Sequence, residues 1–126
     1  QFILDKTAQF CAAHNKHLLI ILLCPLATME LLRGQPRYDQ RIADFIADRG
    51  YKSFDMNRVH LKDFASFNLT VDEYIQRYFI GHYSPAGNHF FAYALKDTLV
   101  NWLDPKPVTY RDDGTRPASF KGYLPA

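Results

Sequence analysis

Leu18-Leu19-Ile20-Ile21-Leu22-Leu23-Cys24 is an unbroken apolar run closed by Pro25. It is far shorter than the roughly twenty residues a membrane-spanning helix needs. A continuous rather than alternating run of this length suits a parallel strand buried on both faces. Just upstream, Ile3, Leu4, Ala8, Cys11 and Ala12 fall on one face of a helix predicted over 2–14, with Asn15 as its breaker. A helix feeding directly into such a strand is the repeating unit of an open α/β sheet.

Working outward from that unit, Ala27 to Gly34 reads as a loop with a helical turn. In a doubly wound sheet the loops beyond strand C-termini line the ligand crevice, so this loop is a candidate wall of a site. Pro36 introduces a second helix over 37–49, with Tyr38, Ile42, Phe45 and Ile46 on its buried face and Gly50 as a C-terminal cap. Tyr51 to Met56 reads as a second, weaker strand with Asp55 near its end, and a short helix or turn follows around 61–67. Thr70 and Glu73 match a capping box that opens a helix over 71–78. Gly81 lets the chain turn. Ser84 and Pro85 suit the N-cap and first position of a last helix over 85–103, whose Phe91, Leu95, Leu99 and Trp102 recur at helical spacing as a core stripe. The expected organisation is an α/β domain over residues 1–103 with a parallel sheet of few strands, then a Pro-rich irregular tail over 104–126.

Composition narrows the function classes. The 126 residues are 48% hydrophobic and 22% charged, ordinary for a globular domain with one core. The formal net charge of +2 is small and its basic residues are scattered, which argues against nucleic acid as a partner. No membrane span is expected, and the compartment is not indicated. Cys11 and Cys24 read as small buried hydrophobes rather than a disulfide framework. The five histidines show no metal-ligand spacing; His89 follows His82 by seven residues with no third ligand nearby. Neither a metal nor a cofactor is expected. His60, beside Asp63, reads equally well as a surface histidine, and Tyr83 as a packed tyrosine.

The stretch Gly81-His82-Tyr83-Ser84-Pro85-Ala86-Gly87-Asn88 carries the chemistry. His82 sits just ahead of a helix N-terminus, whose partial positive charge disfavours a protonated imidazole. A neutral imidazole near pH 7 is what a general base requires. A turn histidine bonded only to backbone is the competing reading.

His82-Tyr-Ser-Pro-Ala-Gly-Asn, continuing into Phe90-Phe91-Ala92-Tyr93-Ala94-Leu95, resembles the last block of the SGNH (GDSL-type) hydrolases. That block carries the catalytic histidine of a serine esterase, in the pattern Asp-x-x-His followed by Gly-Asn or Gly-His at the final helix. His82 takes the histidine position and Gly87-Asn88 the helix-opening pair, whereas Phe79 stands where the family has aspartate. The resemblance covers about residues 1–103 as the C-terminal half of such a domain, and implies part of a three-layer αβα sandwich of flavodoxin-like type. It implies hydrolysis of an ester, such as an acetyl group on a carbohydrate, with His82 as base.

The family's Gly-Asp-Ser nucleophile block and its Gly-x-Asn-Asp block are absent; Ser53, Ser66, Ser84 and Ser119 have no such context. The chain is therefore expected to be inactive alone. It reads as the C-terminal half of a longer enzyme or as a degenerate relative that only binds or assembles, and its expected partners are the missing N-terminal half or a second copy. Three groups compete to orient His82: a backbone carbonyl, Asp72 from the preceding helix, and Asp55 at a strand end. A nucleotide-binding flavodoxin-like domain would need a Gly-rich strand-to-helix turn, which is not found.

Overall fold

A computed structural model describes residues 1–106. Among the described residues the fold is mixed α/β, with six helices and a two-stranded parallel sheet. In chain order these are α1 (Phe2–Ala13), β1 (Ile20–Leu22), α2 (Pro25–Leu32), α3 (Gln40–Asp48), β2 (Ser53–Asp55), α4 (Met56–Phe64), α5 (Val71–Tyr78) and α6 (Pro85–Trp102). The Pro-rich tail lies outside the described residues from position 107 onward.

The pairing of β1 with β2 is parallel as expected, in the register Ile20 to Ser53, Ile21 to Phe54 and Leu22 to Asp55. The expected burial is not realised. Ile21 and Leu23 are 42% and 38% exposed, and among the described residues β1 has a strand on one edge only. The segment after β1 is also a correction: it is a helix from Pro25 rather than a loop from Ala27. Pro25 stops the strand and starts the helix at once, since its fixed φ and missing N–H suit the first helical position. Tyr38, assigned above to a buried helix face, precedes α3 and is exposed.

The helix ends that carry their own chemistry form as expected. Asn15 takes a left-handed φ of 51° after α1, and Gly50 one of 65° after α3. Thr70 and Glu73 make the full capping box of α5, and the Ser84 side chain accepts from the Gly87 N–H at the start of α6. Helix α4 begins earlier than expected, at Met56, because the Asp55 carboxylate accepts the Asn57 N–H and caps it.

The core sits among the helices. Leu32 of α2, Tyr74 and Tyr78 of α5, and Phe79 form its buried centre, with Phe64, Phe67 and Phe90 packed against it. Helix α2 lies on α4 and α5, and α6 lies on α5 and α4. Helix α1 has no fully buried residue, and Phe2, Ile3 and Phe10 on it are largely exposed. It is tied down at Asp5, which accepts from the Tyr51 hydroxyl at 2.8 Å and pairs with Arg49 at 3.3 Å.

Candidate functional site

The turn between α5 and α6 is built by two anchors and a hinge. Phe79 and Tyr83 face each other in an antiparallel bridge, with the Ile80 N–H donating to the His82 carbonyl at 2.7 Å. Gly81 at the tip has a φ of 91°, a conformation open to glycine at no steric cost. Ser84 then closes the turn: its N–H donates to the Tyr78 carbonyl, and its hydroxyl donates to the Arg77 carbonyl at 3.2 Å while capping α6. Both roles of the Ser84 hydroxyl are thus structural ones.

His82 is exposed at this turn, and its Nδ1 lies 2.8 Å from the Tyr83 carbonyl oxygen. A carbonyl only accepts, so in the neutral ring the proton is assigned to Nδ1 and the lone pair to Nε2. That is the tautomer a histidine base needs. Of the three groups that could orient His82, the structure selects the backbone carbonyl. Asp72 is exposed and pairs with Arg33 at 3.0 Å, and Asp55 is engaged at the end of β2. Phe79, three residues before His82, is buried in the core and stacks on Tyr83 with ring centroids 4.6 Å apart. No serine hydroxyl among the described residues bonds to His82; Ser66 donates to the Asp63 carbonyl, and Ser119 lies outside the described residues.

A second polar cluster spans the carboxyl ends of the two strands. The Arg37 guanidinium is fully buried and grips Asp39 through two nitrogens, at 2.5 and 2.8 Å, and Asp55 through a third. These carboxylates hold the guanidinium well above its usual pKa, and Arg37 in turn holds the Asp39 carboxyl below the usual carboxylate range. Asn57, wholly buried, donates to Asp55 and accepts at Oδ1 from the Cys24 N–H and the Thr28 hydroxyl, each at 2.9 Å. The Tyr38 hydroxyl reaches Cys24 Sγ at 3.3 Å. Burial pushes the Cys24 thiol pKa up, but the Tyr38 hydroxyl and the amides of Ala27 and Leu26 outweigh it and the net shift is downward. Cys24 and Cys11 are both free thiols, and each is half-buried rather than core. The polar groups of this cluster are satisfied by one another, so it joins β1, α2, β2 and α4 as a brace. Local sequence carried no sign of it beyond Asp55 at a strand end.

His60 corrects its reading as a surface residue: it is 0% exposed. Its ring sits within 5.2–5.8 Å of the rings of Tyr74, Tyr78, Phe79, Tyr83 and Phe90. Nδ1 lies 3.0 Å from the Tyr74 hydroxyl and Nε2 2.6 Å from the Tyr83 hydroxyl. The Tyr74 and Tyr78 hydroxyls both donate to Asp63 Oδ2, at 2.8 and 3.0 Å. Burial pushes the His60 pKa down to about 4, against a smaller opposing pull from the Asp63 carboxylate.

His89 has no companion ligands: among the described residues no group of three or more His, Cys, Asp or Glu side chains is placed to hold a metal ion. Nor, among them, is any helix long and apolar enough to cross a membrane. Comparison of the chain with family models, with curated proteins and with solved structures finds no match.

Proposed function

We propose that this chain is the C-terminal portion of an SGNH-type serine ester hydrolase, acting on an ester or on an O-acetylated carbohydrate, with His82 as general base. One observation carries the reading: an exposed imidazole at the mouth of a helix, with Nδ1 engaged by the Tyr83 carbonyl and Nε2 left as the basic nitrogen. In that role Nε2 takes the proton of a serine hydroxyl as it attacks the acyl carbon, then returns it to the departing alcohol. The Tyr83 carbonyl does the orienting work that the family gives to aspartate. The nucleophile and the oxyanion donors come from a preceding part of the same domain. That part would also add strands to the sheet, completing the three-layer sandwich and covering Ile21 and Leu23, which are exposed here.

The rival reading is a non-catalytic assembly module, and the apolar residues exposed on α1 favour it. One experiment separates the two. The coding DNA upstream of Gln1 is read, and the product of the complete reading frame is treated with a fluorophosphonate and assayed on p-nitrophenyl acetate. An in-frame strand followed by Gly-Asp-Ser, labelling of that serine, and a fall in turnover of about a thousandfold or more in His82→Gln are the expected results. A start codon directly before Gln1 with no labelled serine overturns the esterase reading.

A further inference from the structure

His82 is exposed, and the hydrogen bond that orients its ring runs to the backbone of the next residue. The position of that carbonyl is set by what holds Tyr83. Its ring stacks on Phe79 and lies near Phe91, and the first turn of α6 closes over it at Gly87. A Cβ at Gly87 would stand 2.5 Å from Cδ1 of Tyr83 and would press on the Tyr78 carbonyl, so glycine there permits the close approach. At its far end the Tyr83 hydroxyl reaches His60.

The directions of the buried hydrogen bonds follow from their anchored end. The Asp63 carboxylate only accepts, so Tyr74 and Tyr78 donate to it. Tyr74 has one proton, and Asp63 Oδ2 at 2.8 Å and the His60 carbonyl at 3.2 Å can only accept it, so the Tyr74 oxygen accepts from His60 Nδ1–H at 3.0 Å. His60 Nε2 therefore bears a lone pair, and the Tyr83 hydroxyl donates to it at 2.6 Å. A single residue thus links the two histidines, by its hydroxyl inside the core and by its carbonyl at the surface.

We propose that His60 and Tyr83 are positioning residues for His82: the buried His60–Tyr83 hydrogen bond holds the carbonyl that selects the Nδ1–H tautomer of His82. The inference rests on the reading of His82 as a base for its functional meaning, while its geometry stands without it. In the complete enzyme, loss of the bond is expected to lower kcat and leave KM unchanged, the split that marks a residue acting through His82 rather than on substrate binding.

The test reads the His82 tautomer directly, by long-range nitrogen–proton NMR of the imidazole in the full chain. Wild type is expected to show mainly Nδ1–H. Tyr83→Phe is expected to move the population at least threefold towards Nε2–H, the form free histidine favours. Thr70→Ala, which weakens α5 at its other end, is expected to leave it unchanged and so controls for general destabilisation. If Tyr83→Phe does not fold, His60→Leu and His60→Gln decide: Leu abolishes the acceptor and shifts the tautomer, whereas the Gln amide restores it. A folded Tyr83→Phe with the wild-type tautomer ratio, or equal ratios in the Leu and Gln variants, overturns the proposal. Neither result depends on turnover, so a failure here is distinct from the absence of an upstream serine block.

Discussion

The helical half of this molecule and its sheet half are held together in opposite ways. Around His60 of α4, α5, the α5–α6 turn and α6 bring five aromatic rings against one imidazole, and the hydroxyls of Tyr74, Tyr78 and Tyr83 are all bonded. Around β1, three residues pair with one neighbouring strand while Ile21 and Leu23 keep much of their surface in water. The first region is closed on itself and draws its stability from packing and a satisfied polar chain. The second leans on the Arg37–Asp55–Asn57 brace instead, because a two-stranded ribbon with an open face has little to contribute.

Substitutions break or sharpen that contrast. The largest effect is expected from Tyr74→Ala, which empties the centre of the aromatic core and leaves Asp63 and His60 each short of a partner; about 4 kcal/mol of stability is lost, read as a lower urea midpoint at unchanged slope. Next is acid. The His60 pKa of about 4 lies below its unfolded value of 6.5, so the unfolded chain binds the extra proton first as pH falls. His60 therefore contributes its full share above about pH 6.5 and loses it progressively down to about pH 4, on the order of 3 kcal/mol. The difference in melting temperature between wild type and His60→Gln, measured from pH 7 to pH 4, isolates that share, and a constant difference would refute it. The smallest effect belongs to the residue just past β1: Leu23→Lys is expected to change the stability of this chain by less than about 0.5 kcal/mol. A loss of several kcal/mol there would show that the face of β1 is covered after all.

What the sequence revealed divides along physical lines. The capping box at Thr70–Glu73, the Ser84-Pro85 start of α6 and the glycine turns at 50 and 81 were all legible, because their chemistry is complete within four residues. The parallel pairing was legible from the apolar run, but its burial was not. An unbroken run states what a strand would bury if covered, and only its neighbours decide whether it is. His60 was misread for the same reason, since Tyr74 and Tyr83 lie 14 and 23 residues further on. The position of His82 before a helix was plain from Ser84 and Pro85. The group that orients it was not, because a backbone carbonyl leaves no mark on residue identity.

The parallel register of β1 with β2 has a consequence for the nascent chain. Ile20 must wait for Ser53 before its ladder can form, and about thirty residues of synthesis at roughly 5–20 residues per second is an interval of some seconds. Throughout it, Leu18 to Leu23 lacks its β2 partner, and only α2 and α3 are made in the gap. β2 ends at Asp55, so the pair can close before α4, α5 and α6, the helices that build the aromatic core, have been made.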